Sequence, residues 1–282
     1  RKVKMIEFLQ KTLLQDTTGA VQRRLKRIES LKRNKPIGWL DETSNIYRNA
    51  IYDGQGILEE LTLGPIIHNF GYHLMDRKDY VQGLSFLKES LDTLRESLLS
   101  MKDRTKEEDI LKAKNECALI LQNLAALHSV IGNYEMAEEE AMESLGIFRE
   151  LIDKDEDYSH GIAALLNSLA GIHVKMRKFD TVEKEYNEAI SIYSKLSDEK
   201  PTEYLYKFVE SITSLALFYN LIGKLDESIE AYEQAMPYLE FLSEKNFDDF
   251  APQQVIAIIN YASALQDNNT LDEAEKLLRE TI

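Results

Sequence analysis

The segment GKLDESIEAYEQAM, residues 223–236, is one of six copies of a fourteen-residue frame that recurs along the chain. Each copy opens on a turn residue and has an aromatic residue or Leu two places later. Most copies have a small residue at the sixth place, a large apolar residue at the tenth, and Ala, Ser or Thr at the thirteenth. The copies begin at Gly38, Lys78, Gly132, Arg177, Gly223 and Asn269, at intervals of 40, 54, 45, 46 and 46 residues. Self-similarity at a nearly fixed period indicates a repeat protein.

The spacing within the frame predicts a helix, because residues four apart lie on the same face of an α-helix. The small sixth residue lets a neighbouring helix approach, and we expect Tyr186, Tyr232 and Leu278 at the tenth place to fill the space beside it. A second apolar run precedes five of the frames and has its own small residue. These small residues are Gly71, Ala125, Ala170, Ala216 and Ala262. The alternation of the two runs predicts an all-α fold of antiparallel helix hairpins.

The same pattern predicts where the helices lie. First helices are expected near residues 64–76, 107–131, 159–176, 203–222 and 252–267, and second helices near 80–100, 134–152, 179–196, 225–242 and 270–282. An opening hairpin is expected to pair residues 19–34 with residues 41–62. We therefore divide the chain into a basic N-terminal helical segment with a degenerate repeat, residues 1–62, and five long repeats, residues 63–282, the last one truncated.

Acidic or Pro-bearing linkers join the repeats, and an aromatic residue stands 19 residues before three of the frames, at Tyr158, Tyr204 and Phe250. We expect these rings to cap the hairpin ends and to pack between successive repeats. With its period of roughly 45 residues, this unit resembles the long tetratricopeptide repeats (TPRs) of bacterial proteins and kinesin light chains. The resemblance covers residues 64–282, whereas residues 1–63 match only in the frame GWLDETSNIYRNAI. It implies a right-handed superhelical α-solenoid.

The resemblance also implies that the first helices line a concave groove, which binds a peptide or a folded protein partner. Asn stands two residues before the small residue in three first helices, at Asn69, Asn123 and Asn260. An Asn amide has donors and an acceptor, so it can bind the backbone of an extended peptide. The predicted binding residues are Asn69, Gln122, Asn123, Asn167, Thr213, Asn220, Asn260 and Gln266. The alternative is that these Asn residues brace neighbouring repeats.

The predicted groove is neutral and lined with small residues. No Lys or Arg occupies a groove position. A clamp for the C-terminal carboxylates of chaperones needs such cations, so we do not expect one here.

Charge is unevenly distributed along the chain, which has a net charge of −15. Residues 1–40 contain eleven Lys or Arg and only three acidic residues, with the basic run centred on Arg23 to Lys35. One interpretation is a contact with nucleic acid or an anionic surface. The other, which we favour, is a basic helix face that complements the acidic repeats or a partner domain in the intact protein. We favour it because no aromatic residues interleave the run and the acidic body would repel polyanions.

The sequence has no Gly-rich phosphate loop, no paired Cys ligands and no hydrolase elbow. His128 and His173 take positions expected in the hairpin core, and the carboxylates of AEEEAMES (residues 137–144) are expected on a solvated face. We therefore expect no enzyme, no cofactor and no metal site. The single Cys117 suits a reducing compartment, which favours the cytoplasm, and no apolar run reaches membrane-spanning length.

Three functions fit this sequence. The favoured one is a protein–protein interaction scaffold. The second is the sensor or regulatory arm of a larger bacterial signalling or defence protein, since similar repeats occur fused to CHAT proteases and NTPases; another domain of the same longer chain would then be the partner. A first residue other than Met and a last frame that stops at Ile282 favour this second function. The third is a receptor for a peptide pheromone, although residues 1–62 lack a clear DNA-binding or phosphatase bundle.

Overall fold

The computed structural model describes residues 2–56, 58–101, 106–152 and 158–281, and over these ranges the chain is all α, with twelve helices and no strand. The helices are α1 (Lys2–Asn34), α2 (Trp39–Gly54), α3 (Glu60–Asp76), α4 (Tyr80–Ser100), α5 (Glu107–Val130), α6 (Tyr134–Ile152), α7 (Ser159–Met176), α8 (Val182–Glu199), α9 (Pro201–Leu221), α10 (Leu225–Lys245), α11 (Phe247–Asp267) and α12 (Leu271–Thr281). The predicted all-α fold of helix hairpins is confirmed.

The opening hairpin and α8 differ from the prediction. Helix α1 is 33 residues long, and α2 ends at Gly54 rather than near residue 62. The chain turns there because Gly56 adopts a left-handed φ of 70°. Helix α8 begins at Val182 because residues 179–181 form a turn, in which the Thr181 hydroxyl lies 3.2 Å from Nδ1 of His173.

The helices group into two compact units, Arg1–Ile147 and Phe148–Ile282, and each is described by itself. In the first unit α1 packs on α2, α2 on α3, and α3 on α4 and α5. In the second unit each helix from α7 to α12 packs on the next, and α9 also meets α11. The predicted boundary at residue 62 separates a degenerate repeat from the regular repeats. The two compact units do not test this boundary, so it stays a prediction.

The first residue of every frame has a left-handed backbone conformation. The φ angles are 76°, 61°, 83°, 58°, 78° and 60° at Gly38, Lys78, Gly132, Arg177, Gly223 and Asn269. In the last five frames the next residue donates its N–H to the carbonyl five residues back, over 2.8–2.9 Å, as from Lys224 to Tyr219. This Schellman arrangement satisfies the last carbonyls of the first helix and reverses the chain.

Small side chains occupy the places where the helices of a hairpin cross. Those at the thirteenth place of the frame are fully buried, and they are Ala50, Ser90, Ser144, Ala189 and Ala235. The predicted small residues of the first helices are buried as well. A Cβ atom added to Gly71 would lie 3.1 Å from the backbone nitrogen of Leu87, so the backbones of α3 and α4 approach closely there.

Serine side chains add directional bonds at these crossings. Ser90 donates to the carbonyl of Gly64 and Ser144 to the carbonyl of Ala118, each over 2.7 Å and each across a hairpin. Ser228 at the sixth place donates to the carbonyl of Ala216 over 2.9 Å. Because these carbonyls belong to the facing helix, the bonds fix the register of the hairpin as well as its spacing.

The large residues at the tenth place are buried in the earlier frames but not in the last. Tyr186 and Tyr232 are buried, and Tyr232 stacks on Tyr261 of the next first helix with a centroid distance of 5.7 Å. Leu278 was expected to fill the same space, but its side chain is 37% exposed. Among the described residues, no further first helix lies against α12 to cover Leu278 in the way that Tyr261 covers Tyr232.

The recurring linker aromatics pack as expected. The ring of Tyr204 is buried and stacks on Tyr193 at 6.4 Å, while Tyr158 lies 6.3 Å from Phe148. Tyr193 and Phe148 share the seventeenth place counted from the start of their frames, so the two contacts are equivalent. Phe250 instead meets Tyr206 of the preceding first helix, at 5.6 Å.

Two histidines in the hairpin cores pair with carboxylates. Nδ1 of His128 lies 2.6 Å from Oε2 of Glu140, and Nδ1 of His173 lies 2.9 Å from Oε2 of Glu185. The buried position of both histidines confirms the prediction. The prediction for Glu140 was wrong, because this carboxylate lies in the hairpin core rather than on the solvated face. Burial raises the pKa of Glu140, while the bond to His128 opposes that rise.

A third buried histidine joins the opening hairpin to α3. Nε2 of His73 lies 3.0 Å from Oγ of Ser44 and 3.2 Å from the carbonyl oxygen of Leu40. Burial lowers the pKa of His73 below its usual 6.5; the Leu40 carbonyl and Asp76 oppose the shift, and the cations Lys32 and Arg77 add to it.

We expect Arg177→Gly to stabilise the chain by about 1 kcal/mol, because an L side chain in the left-handed region costs about that much relative to glycine. The converse change, Gly223→Ala, should destabilise the equivalent turn by a similar amount. Urea unfolding of both variants measures the two effects. Equal stability of Arg177→Gly and wild type would show that the turn at Arg177 is not strained.

The lowered pKa of His73 predicts a loss of stability in acid. Below pH 6.5 the unfolded chain binds the proton more readily than the folded chain, so the free energy of unfolding falls as the pH falls through this range. His73→Gln keeps a donor near Leu40 but cannot take up a proton. The difference in stability between pH 7 and pH 5 should be smaller in this variant than in wild type, as measured by denaturant melts; the same difference in both would contradict the assignment.

Candidate functional site

The first helices share a set of equivalent positions, which lie six, three and two residues before the small residue and one and four residues after it. In each unit, we call the surface that these positions form the first-helix face. Every side chain at these positions in α3, α5, α7, α9 and α11 is at least partly accessible, except that of His68. All eight predicted binding residues belong to this face, and the two units are considered separately below.

In the unit Arg1–Ile147 the face contains a polar chain that joins α3 to α5. Nδ1 of His68 lies 2.6 Å from Oε1 of Glu116, and Nε2 of His68 lies 2.8 Å from Nδ2 of Asn123. Because a carboxylate can only accept, Nδ1 carries the proton and Nε2 accepts from the Asn123 amide. Asn123 therefore braces two first helices, as the alternative interpretation of the Asn residues proposed.

The other two predicted residues of this unit are more open. Asn69 is exposed, and its Nδ2 donates over 2.8 Å to the Pro65 carbonyl within its own helix, so its amide oxygen remains available. Gln122 is partly accessible, and its side chain has no hydrogen bond to another described residue.

In the unit Phe148–Ile282, two predicted residues are engaged within the protein. Nδ2 of Asn167 donates to Oγ of Ser211 over 2.6 Å and so links α7 to α9, while its Oδ1 is buried without a partner among the described residues. The hydroxyl of Thr213 bonds to the carbonyls of Val209 and Glu210 in its own helix, at 3.1 and 3.0 Å. The Thr213 hydroxyl and one N–H of the Asn167 amide are therefore used within the protein.

The remaining predicted residues of this unit are Asn220, Asn260 and Gln266, which we call the open amides. Asn220 and Asn260 are partly accessible, Gln266 is exposed, and none of the three side chains has a hydrogen-bond partner within the described residues. Each amide therefore presents both its donors and its acceptor to solvent. They are the groups on this face that are best able to bind another backbone.

The sequence analysis missed an apolar part of the same face. Leu217 on α9 and Ile256 and Ile259 on α11 are 45%, 58% and 55% exposed. The expectation of a neutral, small-residue groove therefore fails at these positions. The signal was present in the sequence, since large aliphatic residues stand here where the equivalent positions of α7 hold Ala164, Asn167 and Gly171.

The first-helix face has few charged groups. Its positions hold no Lys or Arg, and the carboxylate of Glu210 is bonded to Lys207 Nζ at 3.0 Å and to the Tyr206 hydroxyl at 3.3 Å. Outside the face, burial raises the pKa of the Cys117 thiol to about 11, which makes this thiol unreactive at neutral pH.

Within the part of the chain that the structure describes, no three His, Cys, Asp or Glu residues come together as a metal site would require. None of the described helices combines the length and the apolar character of a membrane-spanning segment.

We expect Asn123→Ala to destabilise the unit by about 1–3 kcal/mol, because it leaves Nε2 of the buried His68 without its donor. Asn69→Ala is the matched control, since that exposed amide bonds only to its own helix. Chemical denaturation of the two variants compares them directly. Equal losses in both would mean that the His68–Asn123 bond contributes nothing to stability.

The comparisons with known proteins agree with the repeat fold. A family model described as tetratricopeptide repeat matches residues 209–236, and a search of curated protein sequences gives no match. The fold is similar to that of BtubC (BKLC) from P. vanneervenii, with a TM-score of 0.65, 18% identity, and coverage of 89% of both chains. It is also similar to a putative kinesin light chain from Podosopora anserina, with a TM-score of 0.55, 17% identity, and coverage of 79% of this chain and 95% of that one.

A third similar structure belongs to a larger protein. A signal-transduction ATPase with numerous domains (STAND) from Pyrococcus horikoshii, which has a tetratricopeptide-repeat sensor, gives a TM-score of 0.66 and 15% identity. The match covers 99% of this chain but 37% of that one. Identities this low show the fold alone. The matched repeat falls within the hairpin α9–α10, and the same frame recurs in the neighbouring hairpins. Residues 209–236 therefore match a tetratricopeptide repeat, and the described chain has an all-α helical-repeat solenoid fold like that of the similar tetratricopeptide-repeat structures.

Proposed function

We propose that this chain is a protein-interaction module that binds a segment of a partner protein along its first-helix face. The observation that carries the proposal is the set of open amides Asn220, Asn260 and Gln266, which are accessible and have no partner inside the described protein. Elsewhere on the same face, Asn123 and Asn167 are used to join neighbouring helices. The contrast separates amides that hold the repeats together from amides that are available to a ligand.

The chemistry of these amides favours a peptide backbone as the ligand. Each residue of an extended segment presents one N–H and one C=O, and an Asn or Gln amide can bind either group. Such contacts do not depend on the side chains of the segment, so they supply affinity, and neighbouring side chains supply specificity. We extend the proposal to the other predicted positions with accessible amides, Asn69 and Gln122.

The basic run is assigned a structural role in this proposal. Arg24 on α1 forms an ion pair with Asp53 on α2, and Arg27 on α1 binds Glu42 on α2 through Nε and Nη2, at 3.0 and 2.9 Å. Two of the cations in the run are thus neutralised by the next helix. This pairing supports the interpretation that the run complements acidic residues of the repeats rather than a nucleic acid. A cytoplasmic location and a bacterial source stay predictions.

A second candidate function is the sensor arm of a larger protein. The observation that favours it is the similarity to part of a STAND protein whose repeats are described as a sensor. The partner of the first-helix face would then be another domain of the same polypeptide. Immunoblotting of the native protein tests this alternative, because a mass close to 32.5 kDa would contradict it.

The test of the main proposal is capture of partners on the immobilised chain, identification by mass spectrometry, and measurement of the affinity of the purified partner. We expect Asn220→Ala and Asn260→Ala each to weaken binding about ten-fold, because the loss of one buried amide contact costs about 1.4 kcal/mol. The change Glu139→Lys on the exposed surface of α6 is the control and should leave binding unchanged. Binding should also depend only weakly on salt.

Two results would contradict the proposal. Normal binding by both Asn variants together with a defect in Glu139→Lys would move the interface to the acidic surface of the second helices. A steep loss of affinity with salt would point instead to the basic run Arg23–Lys35 and to a polyanionic partner.

A further inference from the structure

Leu217 on α9 and Ile256 and Ile259 on α11 are exposed apolar residues at first-helix-face positions of two helices that contact each other in the unit Phe148–Ile282, and we call them the apolar patch. Two more exposed aliphatic residues lie on the same helices, Leu221 four residues after Leu217 and Val255 next to Ile256, with exposures of 60% and 50%. The face of α7, in contrast, has no large apolar side chain that is exposed. The first-helix face therefore lacks exposed large apolar side chains on α7 and has them on α9 and α11.

Packing inside the hairpin does not explain the patch. Ile256 and Ile259 are three residues apart and lie on one side of α11, whereas Ile258, Ala262 and Leu265 on its other side are buried in the hairpin core. The equivalent positions of α9 hold Glu210 and Thr213, so a repeat of this kind folds without aliphatic residues there. Exposed apolar residues that are grouped rather than scattered mark an interaction surface.

Charge restricts what could cover the patch. The unit Phe148–Ile282 contains 26 acidic residues and 13 Lys or Arg, and none of those cations occupies a position on the first-helix face. The resulting negative field attracts cationic segments and repels acidic ones before contact. The occupant that fits both features has apolar side chains and a positive net charge.

The open amides restrict the conformation of the occupant. Asn260 follows Ile259 directly, and Asn220 lies three residues after Leu217, so both amides border the patch. A helix satisfies its own backbone groups and would leave these amides without a use. An extended strand has free N–H and C=O groups along its length, and its side chains alternate between two sides.

We propose, on the basis of the function proposed above, that α9 and α11 take an extended cationic segment of the partner protein. Alternate aliphatic or aromatic side chains of that segment cover the apolar patch, its backbone bonds to Asn220 and Asn260, and its Lys or Arg residues face the acidic unit.

Selection from a library of random twelve-residue peptides on the immobilised full chain tests this inference. The expected result is enrichment of peptides with aliphatic or aromatic residues at alternate positions, an excess of Lys and Arg, and few acidic residues. The affinity of the best peptide is then measured by fluorescence anisotropy for wild type and variants.

Ile259→Glu is the test variant and Phe241→Glu is its matched control. Phe241 is 48% exposed on the second helix α10, so both changes place a carboxylate at a half-exposed apolar position of the same unit. Binding of the selected peptide should fall at least ten-fold in Ile259→Glu and stay within two-fold in Phe241→Glu. Thermal melts that match wild type show that both variants are folded.

The possible failures can be told apart. Selected peptides that are acidic but still need Asn260 would overturn this inference and leave the proposed function standing. Equal binding by wild type and Ile259→Glu would also overturn it. A library that yields no binder would count against both the inference and the proposed function. A mass of twice 32.5 kDa in light scattering, reduced to the monomer by Ile259→Glu, would show that a second copy covers the patch instead.

Discussion

The structure depends on a steric constraint at the crossing of the two helices in each hairpin. Fully buried Ala or Ser at the thirteenth place of the frame lies against the first helix, where Ser90 bonds to Gly64. The small residue of the first helix lies against the sixth place of the frame, as Ala216 does against Ser228. A larger side chain at either position would have to displace a backbone, since protein interiors have little free volume. The close approach lets the serine bonds form, and it positions the tenth-place tyrosines against the next first helix. These groups do not belong to the first-helix face, but they position the helices that form it.

The parts of the fold that follow from local pattern could be predicted from the sequence. The frame placed the boundaries of most helices within a few residues, because its turn residue and its small residues report the same hairpin geometry. A turn was expected at the first residue of each frame, and Lys78 and Arg177 adopt the same left-handed conformation there as the glycines. The features that could not be predicted depend on contacts between side chains of different helices. Glu140 reads as one of several surface carboxylates, and only the proximity of His128 across the hairpin explains its burial.

The position of the candidate face could be predicted from the sequence. Which of its side chains are available to a ligand, and how apolar the face is, were not predicted correctly. All eight predicted residues lie on it, since helical periodicity alone decides which side chains share a surface. Their availability depends on partners in other repeats, which the periodicity does not show. Asn123 and Asn260 occupy the same position in their helices, but the histidine that engages Asn123 has no counterpart beside Asn260, because the equivalent position of α9 holds Thr213. The exposed aliphatic residues were visible in the sequence and were misjudged, because a composition that is neutral in charge can still be strongly apolar.

The buried histidine–glutamate pairs determine how the repeats can be exchanged during evolution or in design. His128 and His173 face Glu140 and Glu185, whereas the next hairpin has Tyr219 at the histidine position and Ala231 at the glutamate position. A hybrid hairpin that joined the first helix of one kind to the second helix of the other would bury a carboxylate or an imidazole without its partner. Such a group is expensive to desolvate. The hairpin as a whole, rather than the single helix, is therefore the segment that recombination can duplicate or swap without loss of stability.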